Sequence, residues 1–260
     1  MTTEVKGLVL RSVDCKESDR MLTIYTFDRG IISAYARGAR RLKSKKMSAT
    51  MQFCYAGFIL EERGEHIWVK ETELIESFFS IRNTIEGLAL ASYIVEVIAE
   101  CGTTDADSEL LRLALNSLYA ITTERYTAAK IKAAFEIRCA AIIGFMPDIL
   151  ACCECGEREG DFFFDIMGGV IQCHKCHRKA EGEHRALHDP HEASILTILS
   201  EGAKIALGYC VFTPLEKLFS FKLADEDMRF FCHACESYLL NHLGRSFNSL
   251  DFYNEVKREK

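Results

Sequence analysis

Two pairs of cysteines constrain the fold of this chain more than any other feature of its sequence. Cys152 and Cys155 form one Cys-x-x-Cys motif, and Cys173 and Cys176 form a second after a gap of 17 residues. Two residues between cysteines let a tight turn aim both sulfurs at one point, and Gly156 can adopt the positive φ that such a turn favours. Four thiolates leave no open coordination position. The pattern therefore predicts one structural Zn²⁺ per chain, in a module too small to fold without the metal.

The cysteines also permit other interpretations. The run Cys173-His174-Lys175-Cys176-His177 spells the C-x-x-C-H pattern of covalent haem attachment, although the matching upstream pair favours zinc. Cys153 could replace Cys152 as a ligand, but only Cys152 has two residues between itself and Cys155, so Cys153 is expected outside the ligand set. Cys232 and Cys235 have the spacing of a thiol redox pair. The same spacing would also suit metal binding. The two cysteines share one helical stripe with apolar residues, however, so we expect buried thiols there.

The first 80 residues show the two-residue apolar period of β-strands, interrupted by turn signals around Gly30 and Gly64. Five strands are predicted, over Val5–Val13, Met21–Phe27, Ile31–Arg37, Gln52–Glu61 and His66–Glu76. Five strands in about 75 residues fit a small closed barrel of the OB type better than a sandwich. We therefore predict an OB-fold domain over residues 1–80.

From about residue 82 the apolar period becomes helical. A polar break at 102–107 precedes a further helix, and Thr127 is expected to cap the next one, which ends at Gly144. Later helices are predicted over Pro190–Ala206 and Asp225–Gly244, with a capping box at Thr213-Pro214-Leu215-Glu216 between them. The prediction is an α+β multidomain chain: a five-stranded OB-fold β-barrel, then an all-helical domain over 81–260 with an inserted four-cysteine zinc module at about 150–180.

A basic segment follows the third predicted strand. It holds Arg37, Arg40, Arg41, Lys43, Lys45 and Lys46. Residues 1–60 carry 11 Lys and Arg against 5 Asp and Glu, a net +6, whereas residues 61–260 carry 21 against 33, a net −12. Such a cluster attracts phosphates, and neutralising six of them gives a log–log salt slope of about −4 to −5. The segment predicts nucleic-acid binding, with a solvated loop as the alternative.

Aromatic residues of the barrel are candidates for stacking on bases, but alternating strand positions also fill a core. The sequence does not show which of the six aromatic residues of the barrel stack on bases and which fill the core: Tyr25, Phe27, Tyr35, Phe53, Tyr55 and Phe58. The chain lacks a phosphate loop, a nucleophile elbow, H-E-x-x-H and a dinucleotide-binding turn, so no enzyme and no small-molecule substrate are predicted. Without an export signal or membrane span, we expect a cytoplasmic protein, where 12 cysteines serve as metal ligands and buried thiols.

Several short motifs are spread along nearly the full chain. They are Lys16-Glu17-Ser18-Asp19, Ala36-Arg37-Gly38-Ala39-Arg40, Gly144-Phe145-Met146-Pro147, and the C-terminal segments 238–247 and 249–252. Together these motifs resemble the bacterial RecO family of recombination mediators. The chain departs from the family pattern at Cys15, where an aromatic residue is common, and lacks a proline near Phe53. The resemblance implies the same OB barrel, helical domain and zinc insert that the residue patterns predict.

The resemblance also implies a function. Family members bind single- and double-stranded DNA, anneal complementary strands, and act with RecR to load RecA onto DNA coated by single-strand-binding protein. They commonly engage the acidic C-terminal tail of that coating protein, and they work at the nucleoid. An RNA-binding or transcription-associated zinc protein that uses the same barrel is the alternative.

Overall fold

The computed structural model describes residues 2–102, 108–184 and 195–258. The chain forms two compact units, one made of Met1–Arg125 with Phe247–Lys260 and the other of Tyr126–Ser246. The predicted domain boundary between residues 80 and 81 stays a prediction. Most of the predicted polar break at 102–107, and the first residues of the predicted helix over Pro190–Ala206, lie outside the described residues.

Five strands near the start of the chain close into a barrel. They are β1 (Thr2–Cys15), β2 (Asp19–Thr26), β3 (Gly30–Ala36), β4 (Tyr55–Arg63) and β5 (His66–Glu76). The order around the barrel is β1-β2-β3-β5-β4, and β4 pairs back onto β1. Neighbouring strands are antiparallel except β3 and β5, which pair in parallel at Ala34–Ile67 and Tyr35–Trp68. The predicted OB-type barrel is confirmed.

Alternation along each strand decides which side chains fill the barrel. Leu22, Ile24, Ala34 and Phe58 are fully buried, whereas Met21, next to Leu22, is 42% exposed. Successive residues of a strand point to opposite faces, so alternate residues point into the barrel. Within residues 7–10 and 24–26 the side chains on both faces are buried. The barrel interior is therefore an apolar core, and any ligand must bind its outer surface or its loops.

Helices make up most of the rest of the described chain. They are α1 (Ile85–Cys101), α2 (Ser108–Thr123), α3 (Ala128–Ile142), α4 (His174–His184), α5 (Glu201–Phe212), α6 (Asp225–Leu243) and α7 (Asn248–Arg258). Short 3-10 turns lie at Phe79–Asn83 and Leu215–Lys217. Thr127 caps α3 as predicted, since its hydroxyl accepts a hydrogen bond from the N–H of Lys130 at 3.3 Å. None of these helices has the length and apolar character needed to span a bilayer.

The cysteine-rich insert adds a four-stranded sheet to the helical part. Its strands are β6 (Asp148–Cys152), β7 (Phe162–Asp165), β8 (Val170–Cys173) and β9 (Leu196–Leu199), in the order β6-β8-β7-β9. The helix predicted across Pro190–Ala206 is thus wrong at β9, which pairs antiparallel with β7. Sheet pairing overrides the helical pattern there, and α5 begins only after Ser200, whose hydroxyl accepts from the N–H of Ala203.

The predicted capping box at Thr213-Pro214-Leu215-Glu216 is also wrong. Pro214 keeps an extended backbone with ψ 145°, and no side chain caps the following turn, which spans only Leu215–Lys217. Leu215 and Leu218 are buried, so their packing holds a single turn in place without extending a helix.

A buried ion pair lies inside the second unit, between α3 and α6. The Lys132 ammonium nitrogen is 2.7 Å from Glu136 Oε1 and 2.5 Å from Glu236 Oε2, and Lys132 and Glu136 are almost completely buried. Burial acts to lower the pKa of Lys132, but the two carboxylates outweigh it and raise that pKa. A charge held this way stays ionised inside the bundle and ties α3 to α6.

Candidate metal centre and nucleic-acid interface

The four predicted ligand cysteines come together at one end of the small sheet. Cys152 ends β6, Cys173 ends β8, Cys176 lies in the first turn of α4, and Cys155 lies in the turn after β6. Their sulfur atoms all lie within 4.8 Å of one another, and the Cys155 and Cys173 sulfurs are 3.7 Å apart. A tetrahedral zinc with Zn–S bonds of about 2.3 Å separates its sulfurs by about 3.8 Å. The arrangement fits a metal site with four thiolate ligands.

The backbone turns the first pair toward the cluster as predicted. Gly156 has a φ of 77°, and its N–H donates to the carbonyl of Cys152 at 3.0 Å. The N–H of Cys152 in turn donates to the carbonyl of Glu157 at 2.7 Å. The N–H of Cys173 donates to the Cys152 sulfur at 3.3 Å, which links the two motifs. These hydrogen bonds position the sulfurs of the two motifs without any contribution from a metal ion.

The thiols influence each other's ionisation. Burial acts to raise the pKa of Cys152, but hydrogen bonds from the backbone N–H groups of Cys173, Cys155 and Glu154 outweigh it and lower the pKa to about 6. The neighbouring Cys155 thiol and burial raise the pKa of Cys176 to about 12. Four adjacent sulfurs therefore do not all ionise without a cation, and Zn²⁺ is a cation of the right charge and ligand preference.

The other candidate cysteines lie outside the four-sulfur cluster. Cys153 is exposed and does not belong to the cluster, which is the only group of three or more potential metal ligands within the described ranges. The ring of His177 lies 3.9 Å from that of Phe163, outside the ligand set. Cys235 is completely buried, which raises its pKa, and the Cys232 sulfur is 3.7 Å from the carbonyl of Ala129. Burial makes the Cys235 thiol a poor nucleophile, which disfavours a redox pair. Cys232 is only half-buried, so the prediction of a buried thiol is wrong at that position.

The basic segment forms the loop between β3 and β4. Arg37, Arg40, Arg41, Lys43 and Lys45 are exposed there. Of these five, only Arg40 has a carboxylate of the described chain within ion-pair distance, at 3.2 Å from Asp14 Oδ2, and both partners are exposed. Exposed pairs of this kind contribute little and are easily exchanged for another anion. We call these five residues the basic loop.

Asp19 anchors the basic loop to the barrel. Its carboxylate accepts hydrogen bonds from the Tyr35 hydroxyl and from the N–H of Gly38, the latter at 2.7 Å. The Tyr35 bond, followed by the Gly38 bond, lowers the pKa of Asp19, and the same contact raises the pKa of Tyr35 to about 12. Gly38 has a φ of 68°, which an L side chain adopts rarely, and the N–H of Arg40 donates to the carbonyl of Ser18 at 2.9 Å.

Other basic residues brace the loop. Lys46, the sixth predicted DNA-binding residue, is half-buried, and its ammonium group donates to the carbonyl of Val69 at 2.8 Å. Burial lowers its pKa. Arg20 donates to the Met47 carbonyl and the Thr50 hydroxyl, each at 3.0 Å. The net charge of the N-terminal part includes Lys46 and Arg20, but both side chains donate hydrogen bonds to acceptors of the protein itself.

The barrel aromatics separate into core and surface residues. Tyr25, Phe53 and Phe58 are buried, while Phe27 and Tyr55 pack edge to face at 6.4 Å. The Tyr35 ring instead contacts Trp68, with ring centres 4.6 Å apart and planes at 76°. Sequence reasoning missed Asp19 as the anchor and Trp68 as an aromatic of the surface. Trp68 could have been recognised as a surface residue, because it precedes the apolar Val69 on an alternating strand and so points to the opposite face.

Comparison with known proteins agrees with this architecture. Family models described as "Recombination protein O N terminal" and "Recombination protein O C terminal" match residues 1–78 and 82–251. The DNA repair protein RecO of Acetivibrio thermocellus is 31% identical over 259 residues, which cover 99% of this chain and 98% of that protein. The protein of the same name from Alkaliphilus metalliredigens is 28% identical over 261 residues, covering 98% and 100%. The resemblance noted in the sequence is confirmed: the chain belongs to the Recombination protein O (RecO) family of DNA repair proteins.

Proposed function

We propose that this chain binds single- and double-stranded DNA through the basic loop and anneals complementary strands. The observation that carries the proposal is the loop itself, with five exposed cations on a backbone anchored to the barrel by Asp19. Annealing requires two mutually repelling phosphate backbones to approach each other. A cationic loop lowers that repulsion without reading sequence, because phosphate contacts carry no base information.

No covalent bond is made or broken in this activity, so we assign no catalytic residue and no small-molecule substrate. The proposed role is that of a mediator in DNA repair and homologous recombination. The family's DNA repair activity supports this role.

We further propose that Cys152, Cys155, Cys173 and Cys176 hold one structural Zn²⁺. The support is the convergence of four sulfurs at distances that suit a tetrahedral ion. When bound, the ion supplies the positive charge that keeps four thiolates together and contributes folding free energy to the small sheet. We assign the centre no role in the contact with DNA.

The proposed partners follow from family membership. They are RecR, with which the chain would load RecA onto DNA coated by single-strand-binding protein, and the C-terminal tail of that coating protein. The proposed setting is the cytoplasm, at the nucleoid. Residues 61–260 carry a net charge of −12, which favours proteins over nucleic acid as partners for that part of the chain.

An annealing assay across a salt series tests the proposal. Complementary labelled DNA strands are coated with single-strand-binding protein, the chain is added, and duplex formation is followed with time. We expect faster annealing than in its absence, declining steeply with salt because counterion release is lost. Matched RNA strands run in parallel. Annealing of RNA only, or no acceleration at low salt, would exclude the proposed function.

A further inference from the structure

Four outward-facing side chains form a row across the outside of the barrel. Val13 on β1 is paired with Met21 on β2, Met21 with Tyr35 on β3, and Tyr35 with Trp68 on β5. Val13 and Met21 are each 42% exposed, and Tyr35 and Trp68 are half-buried. Directly paired residues of neighbouring strands have side chains on the same face of the sheet. The row is therefore a continuous apolar strip that ends in two aromatic rings.

The two rings are held in a fixed arrangement. Tyr35 lies between the buried residues Ala34 and Ala36, and Trp68 precedes the buried Val69, so strand alternation directs both rings outward. Their edge-to-face contact at 4.6 Å fixes them relative to each other, and the hydrogen bond to Asp19 fixes the Tyr35 hydroxyl. Rings held this way lose little conformational freedom when a flat ligand stacks on them.

Three basic residues lie on the chain segments that flank the aromatic pair. The Lys16 ammonium nitrogen lies 5.7 Å from the centre of the Tyr35 ring. Arg37 is exposed two residues beyond Tyr35, and Lys70 is exposed two residues beyond Trp68. Because β3 and β5 run parallel at this point, both follow the rings in the same direction.

Two carboxylates on strands next to the rings already have partners. Glu61, the partner of Trp68 on β4, lies 2.9 Å from Arg63, and Asp19 is bonded to Tyr35 and to the N–H of Gly38. Their charge is thereby offset by the groups they contact. The surface beside the rings therefore suits an anionic ligand that also presents flat faces.

We propose that Trp68 and Tyr35 form a stacking platform for the unpaired bases of single-stranded nucleic acid. The proposal rests on DNA binding by the basic loop and adds a source of preference for single strands. Aromatic side chains stack on any base, since every base has a π-face, whereas the bases of a duplex are already stacked on each other. A protein partner would suit Val13 and Met21 equally well, but the cations around the rings favour a nucleic acid.

Trp68 is the only tryptophan of the chain, so its fluorescence reports on this position alone. The full chain is titrated with an oligothymidylate and with an abasic oligomer of the same length and charge, while anisotropy of a label on each oligomer records binding. We expect both oligomers to bind at low salt through their phosphates. Only the oligothymidylate should quench Trp68, because only it has bases to stack.

Substitutions extend the test. Trp68→Ala should weaken oligothymidylate binding about tenfold, equivalent to about 1.4 kcal/mol, and change duplex affinity by less than about twofold. Trp68→Phe keeps a ring and should recover most of the loss, which separates stacking from misfolding. Tyr119→Ala, which removes an exposed aromatic on α2, is the matched control and should leave both affinities unchanged.

The outcomes distinguish the stacking platform from DNA binding by the basic loop. If both oligomers bind but Trp68 is not quenched and Trp68→Ala binds normally, the stacking platform is wrong and DNA binding stands. Equal losses for single strand and duplex also refute stacking. If Trp68→Ala keeps its DNA affinities but no longer binds purified RecR, the row is a protein-docking surface and the inference is overturned. No binding of any oligomer refutes both proposals.

Discussion

Removing most of the basic loop charge should flatten the salt dependence of DNA binding. The change is the simultaneous substitution of Arg37, Arg40, Arg41 and Lys43 by alanine, which leaves Lys45 as the one exposed cation of the loop. Each phosphate neutralised contributes about −0.9 to the log–log salt slope for duplex and about −0.7 for single strands. Five contacts give slopes of about −4.5 and −3.5, and one remaining contact gives about −0.9 and −0.7.

The assay is fluorescence anisotropy with a labelled duplex and a labelled single strand. Between about 50 and 200 mM salt, a slope of about −4.5 lowers duplex affinity about 500-fold, whereas a slope of about −0.9 lowers it only about 3.5-fold. Lys46 is excluded from the count because its ammonium group is bonded to the Val69 carbonyl. If it nevertheless contacts phosphate, the parent duplex slope should be steeper, at about −5.4.

A control variant separates local from overall charge. Four exposed cations far from the basic loop in sequence are replaced by alanine, which changes the net charge by the same amount: Lys217, Lys222, Arg229 and Lys257. This variant should keep the parent slope. The reasoning is refuted if the loop variant keeps the parent slope while circular dichroism shows it folded, or if the control variant flattens it equally.

Two further predictions concern the metal centre and the loop anchor. Cys155→Ser or Cys176→Ser should lose about one zinc per chain by elemental analysis and melt at a lower temperature, whereas Cys153→Ser should keep both metal and stability; a metal-free but fully stable parent would contradict this. The pKa of Asp19 is lowered chiefly by the Tyr35 hydrogen bond, so its stabilisation is complete above the ordinary aspartate pKa and is lost as the pH falls through the folded-state value. Asp19→Asn should therefore lower Tm at neutral pH and reduce the further loss of Tm on acidification, and parallel Tm curves for the two proteins would exclude the anchor role.

Features that depend on neighbouring residues were predictable from the sequence. The spacing of Cys152 and Cys155 and the position of Gly156 set the geometry of the first turn locally, and the structure brings the same four sulfurs together. Strand alternation and turn signals located the five barrel strands to within a few residues. The cap at Thr127 was predictable for the same reason, since a capping bond joins residues three apart.

Features that depend on contacts between distant segments could not be predicted from the sequence. The residues of β9 were assigned to a helix because their pairing with β7 spans more than thirty residues of sequence. The hydrogen bond from Lys46 to Val69 on β5 could not be predicted either, because the two residues are more than twenty positions apart. DNA contact by Lys46 stays a prediction.

Residue patterns alone were enough to establish the kind of chain this is: a barrel with a basic loop, followed by helices that carry a four-cysteine insert. Cysteine spacing, strand alternation and charge clustering each involve residues close together in the sequence, so they can be recognised without a structure. The folded arrangement was needed to show which cations face solvent, that Asp19 anchors the loop, and that Tyr35 and Trp68 meet beside it. Barrel closure sets the register of strands far apart in sequence, and that register follows from the packing of the whole core.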